Sequence, residues 1–153
     1  MQFSNKLLND FDLNITYKNN YISTVNETKF LGIHINNTLT WLTHIEKIVP
    51  KLCSACFAMR SVKPFAFQQM LGIIYFSYFH SIMSYGPIFW GHSPHSVRVF
   101  RLQKRIIRIM TGSRSRDSCW TLFSCLKIIL LPYLYIFLLL WFVIKKQGFV
   151  HHK

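Results

Sequence analysis

The chain contains few acidic residues. Its 153 residues include 18 lysines and arginines but only 5 aspartates and glutamates, so the formal net charge is +13. Catalysis by two metal ions needs clustered carboxylates, because both the attacking and the leaving oxygen carry charge in the transition state. Only Asp10 and Asp12 lie close together, and no third acid follows them in a matching context. We therefore predict that the chain is not an enzyme on its own and has no catalytic, cofactor-binding or metal-binding residues.

A complete cysteine motif for metal binding is also missing. Cys53 and Cys56 have the spacing of half a zinc site, but Cys119 and Cys125 are too far apart to supply the second half. No apolar signal segment follows Met1, which indicates reduced thiols in the nucleus or the cytoplasm. We expect these cysteines to be small packed residues.

The composition combines strong positive charge with a high apolar content. Hydrophobic residues make up 51% of the chain and aromatic residues 16%. This combination is typical of a module that binds polyanions or of a protein associated with a membrane. The composition alone does not choose between these two classes.

The pattern of apolar residues predicts a mainly α-helical α+β fold. Residues 1–38 alternate like an antiparallel β-meander, with its last strand at 29–35. Residues 39–146 predict four or five helices, and 147–153 a tail. Pro50 should kink or split the first helix. The uncharged segment 67–85 predicts a central helix buried on most sides.

Residues 97–110 predict a sharply amphipathic, cationic helix. At 100° per residue its cations fall within one arc of about 120°. Ser96 is the expected N-cap and Gly112 the expected C-terminal stop. A cationic face without an acid suits phosphate contacts, whereas a solvated surface or a membrane or partner surface are the alternatives. The predicted nucleic-acid-binding cations here, including two beyond the helix, are Arg98, Arg101, Lys104, Arg105, Arg108, Arg114 and Arg116.

Several sequence blocks share the residue order of one known family. The first runs Thr-Lys-Phe-Leu-Gly-Ile-His-Ile over residues 28–35 and is followed by Trp41 and His44. Further blocks lie at 78–86, 89–91 and 102–112. Together they resemble the end of the palm and the thumb of reverse transcriptases from non-LTR (LINE-type, jockey-like) retrotransposons, over roughly three quarters of the chain.

The resemblance implies a fold and a function. It implies a truncated, non-catalytic C-terminal fragment of an RNA-directed DNA polymerase, whose Mg²⁺ site belongs to the missing palm. Its thumb-like helices would contact the backbone of the template-primer duplex, together with Lys29. The strand segment Phe30, Leu31 and Gly32 would correspond to a primer grip near the primer terminus.

Two other interpretations stay open. Residues 128–144 carry no charge and are flanked by Lys127 and by Lys145 and Lys146, which is at the lower limit for a membrane span. The alternative function is thus a small membrane-anchored protein, although Pro132 inside this segment disfavours a regular helix. A third possibility is the non-functional product of a decayed element.

Overall fold

The structure is a computed structural model that describes residues 15–18, 20–23, 25–114 and 116–150. The predicted fold class is confirmed, because short antiparallel strands precede a series of helices and most described residues are helical. The chain divides into two compact units, Met1–His44 and Ile45–Lys153. The paired acids Asp10 and Asp12 lie outside the described residues.

The strands of the first unit form two hairpins. Strand β1 (Ile15–Tyr17) pairs with β2 (Asn20–Ile22), and β3 (Glu27–Phe30) pairs with β4 (Ile33–Asn36). Both pairs are antiparallel, as expected. Within the described residues they are separate two-stranded sheets rather than one continuous meander.

The prediction of one strand over residues 29–35 is wrong. Leu31 and Gly32 form a two-residue turn in which both have positive φ, 47° and 81°. Positive φ at both central residues is the geometry that joins tightly twisted antiparallel strands. The turn pairs Phe30 with Ile33 and Lys29 with His34. Apolar residues flank this turn on both sides, so the sequence pattern continues through it unbroken.

Helix α1 (Leu42–Val62) runs through Pro50 without being split. Pro50 lies on the exposed side of the helix. The opposite side carries the predicted apolar stripe, since these residues recur at helical spacing and are buried. They are Ile45, Ile48, Leu52, Ala55, Cys56 and Met59.

The next helical stretch runs without a break from residue 68 to residue 83. It comprises α2 (Gln68–Ile74), a π-helical segment (Tyr75–His80) and α3 (Ser81–Met83). In an α-helix, side chains four residues apart are rotated slightly in one direction around the helix axis, and in the wider π-helix they are rotated slightly in the other. The two rotations offset each other, so one buried side carries a side chain at every fourth residue: Leu71, Tyr75, Phe79 and Met83.

The other sides of this stretch are not buried, so the prediction of burial on most sides is wrong. A helix without charges was expected to be enclosed by its neighbours. Its outer side instead exposes large apolar residues to solvent. They are Phe67, Met70, Ile73, Phe76 and Tyr78.

Helix α4 (Pro87–Trp90) follows Gly86, whose φ is 66°. Helix α5 (Ser96–Thr111) comes next and is followed by α6 (Cys119–Cys125) and α7 (Leu131–Val150). The last helix continues into the segment predicted as a tail. Its main neighbours are α4 and α5.

Gln103 is the polar centre of this second unit. It is completely buried, and its amide nitrogen donates hydrogen bonds to Tyr75 Oη at 3.2 Å and to the Ile129 carbonyl at 2.8 Å. Its amide oxygen accepts from the Leu131 N–H at 2.9 Å. That N–H opens α7 and has no carbonyl partner within its own helix. One side chain therefore links α5, the π-helical segment and the start of α7.

The position of Pro132 differs from the expectation. Because α7 begins at Leu131, Pro132 lies in its first turn, where a missing N–H costs no helical hydrogen bond. Leu131 and Leu134 are buried, but most large side chains from Ile136 to Ile144 are exposed. No helix in the described part of the chain is long and apolar enough to cross a membrane.

Two glycines provide a test of this packing. A Cβ at Gly91 would lie 2.5 Å from the carbonyl oxygen of Pro87 and 2.8 Å from Cδ2 of Tyr135 in α7. We expect Gly91→Ala to shift the backbone of α4 and its contact with α7, and to lower the free energy of unfolding by about 1–3 kcal/mol. Gly72 has no atom within 4 Å of such a Cβ, so Gly72→Ala should stabilise its helix by roughly 0.5–1 kcal/mol. Urea denaturation of both variants measures the difference, and equal effects would contradict the close packing around Gly91.

Candidate nucleic-acid interface

Helix α5 is amphipathic as predicted. It buries Val99, Ile106, Ile107 and Met110 together with Gln103, and places its cations on the opposite side. Arg98, Arg101 and Arg105 are exposed, while Lys104 and Arg108 are half-buried. The buried side makes α5 a rigid base from which the cations project.

The C-terminal end of α5 lies where the sequence predicted it, and the N-terminal end does not. Gly112 ends the helix with φ 73°, and the Ser113 N–H donates to the Arg108 carbonyl at 3.2 Å. This is the left-handed C-terminal geometry that glycine permits without strain. Ser96 is the first helical residue rather than the N-cap, a position that His95 occupies.

One cation of α5 has an acidic neighbour on another helix. Arg98 Nη1 lies 3.8 Å from Glu46 Oε1 on α1. Both side chains are about half exposed, so this pair contributes at most about 1 kcal/mol. In the described part of the chain, no other carboxylate forms an ion pair with the α5 cations.

A cleft of about 390 Å³ lies between the end of α1 and the second half of α5. Four cations and no carboxylate line it, and we call it the cationic cleft. Arg60 belongs to the last turn of α1, and Lys63 starts the 3-10 turn Lys63–Phe65 that follows. Arg105 and Arg108 come from α5, and Gly112 and Ser113 close the end of the cleft.

Lys63 occupies a particular position in the cationic cleft. A Cβ at Gly112 would lie 2.9 Å from the Lys63 ammonium nitrogen, so this glycine leaves space for the lysine. The ammonium group therefore lies at the C-terminal end of α5, where the last carbonyls carry partial negative charge. Sequence analysis did not identify Arg60 or Lys63, although basic residues at the end of a helix were the available signal.

A second pocket, of about 320 Å³, lies on the other side of Arg108. Its lining combines cations with aromatic rings, and we call it the aromatic pocket. Arg108 lines both this pocket and the cationic cleft. The cations and rings of the aromatic pocket are Phe100, Lys104, Arg108, Arg116, Trp120 and Phe123.

Asp117 orders the loop that follows α5. Its carboxylate accepts a hydrogen bond from the Arg114 N–H at 2.7 Å, and its carbonyl accepts one from Arg108 Nη2 at 3.1 Å. Arg108 Nε is buried and has no hydrogen-bond partner within the described residues. The guanidinium of Arg108 is thus fixed at one end, and its buried Nε–H lacks an acceptor among the described residues.

The residues predicted as a primer grip lie in the first unit. Phe30 and Leu31 are 61% and 73% exposed, and they form the tip of the β3–β4 hairpin together with Gly32. Lys29 is also exposed on this hairpin. The structure thus brings Lys29, Phe30, Leu31 and Gly32 together, whereas the cations from 98 to 116 belong to the second unit.

The cysteines form no candidate metal centre among the residues described. Cys53 and Cys56 lie one turn apart on α1, and no group of three or more metal-ligating side chains was found there. Burial raises the pKa of the Cys56 thiol to about 11, although the nearby Arg105 lowers it in part. The thiol is therefore protonated at neutral pH, which is typical of a packed cysteine.

No protein-family model, curated protein or solved structure matches the chain. The resemblance to reverse transcriptases therefore rests on the sequence blocks at 28–35, 78–86, 89–91 and 102–112. A proposal for the function of the chain must be argued from its cationic surface.

Proposed function

We propose that the second unit binds the sugar-phosphate backbone of a nucleic-acid duplex. The observation that supports this most strongly is the cationic cleft, in which four cations from α1, the 3-10 turn after it and α5 converge without a carboxylate. An ordinary solvated surface mixes acids with bases, because repulsion between like charges destabilises the fold. Here the repulsion is retained, and a polyanion would relieve it.

The types of cation also suit phosphate. Arg60, Arg105 and Arg108 present planar guanidinium groups that bind two phosphate oxygens at once, and Lys63 adds a point charge. Arg101 and Lys104 extend the same charge along the outer side of α5. Contacts of this kind position a duplex and do not read its sequence.

The wider proposal is that the chain is a thumb-like, non-catalytic fragment of a retrotransposon reverse transcriptase. The sequence blocks and the cationic helix support it, since a thumb holds the template-primer duplex through its backbone. On this proposal the duplex is an RNA–DNA hybrid. The remainder of the polymerase, including its palm, would supply the Mg²⁺ site and the chemistry.

Binding of a labelled RNA–DNA hybrid to the full chain tests the proposal. We expect sequence-independent binding, with a dissociation constant of about 10⁻⁴ to 10⁻⁶ M at physiological salt and tighter binding at low salt. Fluorescence anisotropy with two unrelated duplex sequences measures this. Absence of binding at low salt, or a strong preference for one sequence, would contradict the proposal.

The lack of polymerase activity is a separate prediction. The chain has only 5 acids in total, too scattered for two metal ions, so we expect no primer extension with Mg²⁺ or Mn²⁺. A primer-template extension assay at saturating protein measures this. The hybrid-binding assay on the same preparation is the control that the protein is folded, and any extended product would contradict the non-catalytic assignment.

A further inference from the structure

The aromatic pocket contains rings and apolar side chains that binding of a sugar-phosphate backbone does not need. Phe123 and Leu130 are buried and form its apolar part. Trp120 stands at its edge with 61% of its surface exposed. An exposed tryptophan beside an apolar pocket presents a flat, polarisable surface to a ligand.

Cations surround these rings at close range. The Lys104 ammonium nitrogen lies 4.3 Å from the centre of the Phe100 ring, a contact that holds the charge beside the pocket. Arg108 and Arg116 complete the cationic lining. The pocket contains a single acid, Asp117, whose carboxylate accepts a hydrogen bond from Arg114 N–H in its own loop. Positive charge therefore exceeds negative charge around an aromatic surface.

An aromatic ring with cations beside it is a combination of groups that binds nucleotides. A base stacks on an aromatic ring, and its phosphate is neutralised by a neighbouring cation. The cavity of about 320 Å³ lies at the lower end of the range of roughly 300–1,000 Å³ for small-molecule sites. Arg108 connects the pocket to the cationic cleft, since its side chain lines both.

We infer that the aromatic pocket binds one unpaired nucleotide next to the duplex, with its base on Trp120 and its phosphate among Lys104, Arg108 and Arg116. The inference rests on the proposed function and deepens it. Bases inside a duplex have both faces covered by neighbouring base pairs, whereas an unpaired base can leave the stack, enter the pocket and place its face on Trp120. The ligand class is thus a duplex that continues into a single strand, as a template does beyond the end of its primer.

Three hybrid duplexes test the inference on the full chain. The first is blunt, the second carries a short single-stranded extension, and the third carries an extension of the same length made of abasic nucleotides. The last two have the same phosphates and differ only in their bases. We expect the chain to bind the normal extension about tenfold more tightly than the abasic one. Equal affinities for these two probes would overturn the inference.

Substitutions of exposed tryptophan residues identify the side chain responsible. Trp120→Ala should abolish the difference between the two extended probes and leave blunt-duplex affinity unchanged, whereas Trp120→Phe should retain most of the difference. Trp141→Ala is the matched control, because Trp141 is 52% exposed on α7 and does not line the aromatic pocket. A difference that survives in Trp120→Ala would overturn the assignment of the base to Trp120.

The blunt duplex separates this inference from the proposed function. Binding of all three probes with equal affinity would leave backbone binding intact and remove the nucleotide site. If the chain fails to bind even the blunt duplex at low salt, backbone binding itself is wrong. A thermal unfolding curve for each variant confirms that these comparisons concern folded protein, as expected for an exposed side chain.

Discussion

Replacing Arg101, Arg105 and Arg108 together by glutamine should lower the salt dependence of duplex binding by about two to three units in the slope of log K against log salt. Each phosphate that a cation neutralises releases counterions, and this adds close to one unit to the slope. Arg105 and Arg108 line the cationic cleft, and Arg101 projects from the exposed side of the same helix. The measurement is anisotropy with an RNA–DNA hybrid over a series of salt concentrations.

Two variants serve as controls for this prediction. Changing Lys127, Lys145 and Lys146 to glutamine removes the same charge from residues that line neither the cationic cleft nor the aromatic pocket, so the slope should change far less. Arg98→Gln should also have a smaller effect per residue, because Arg98 already has Glu46 as a neighbour at 3.8 Å. If the lysine variant and the arginine variant lower the slope equally, binding depends on the total charge of the chain and not on the cationic side of α5.

Gln103→Leu should destabilise the second unit by about 3 kcal/mol or more. The leucine retains most of the volume but removes hydrogen bonds to Tyr75 Oη, the Ile129 carbonyl and the Leu131 N–H. A buried polar group left without a partner costs about 1–3 kcal/mol, and this substitution leaves at least two backbone groups in that state. Urea denaturation followed by circular dichroism measures the loss.

Tyr75→Phe is the matched control, because it removes one of the three hydrogen bonds from the same network. We expect it to cost about 1 kcal/mol, since Gln103 keeps both of its backbone partners. Burial raises the pKa of Tyr75 to about 12, so the hydroxyl that Tyr75→Phe removes is neutral at the pH of the experiment. A loss as large in Tyr75→Phe as in Gln103→Leu would mean that the backbone contacts of Gln103 contribute little.

The cationic side of α5 could be predicted from the sequence because helical periodicity is a local property. Residues three and four apart share a side, so the arc from Arg98 to Arg108 follows from spacing alone. The stop at Gly112 is equally local, since a left-handed residue is needed where the helix ends. The apolar stripe of α1 from Ile45 to Met59 followed from the same rule.

The cationic cleft could not be predicted, because its two sides are far apart in the sequence. Arg60 in the last turn of α1 and Lys63 just after that helix meet two cations of α5 only after the helices pack. These are Arg105 and Arg108. The pair between Arg98 and Glu46 and the network around Gln103 are non-local for the same reason. No periodicity in a single segment contains this information.

The errors in the remaining elements have local causes. The turn at Leu31 and Gly32 was missed because leucine rarely adopts positive φ, so only the glycine signalled a turn. Pro132 was read as an interruption because it lies inside the uncharged segment 128–144, whereas the helix begins only at Leu131. The apolar residues from 67 to 78 were taken as core, since hydrophobicity does not state which residues have a neighbour to cover them.

The exposed rings along the stretch from 68 to 83 affect how this protein behaves as a colloid. At low ionic strength, mutual repulsion at a net charge of +13 keeps separate molecules apart despite exposed rings such as Phe76 and Tyr78. Added salt shortens the range of that repulsion to about 8 Å at physiological strength and strengthens the attraction between apolar surfaces. The salt that weakens binding to a polyanion thus also allows the exposed rings of separate molecules to approach one another, so we expect self-association to set in first at the high-salt end of a binding titration.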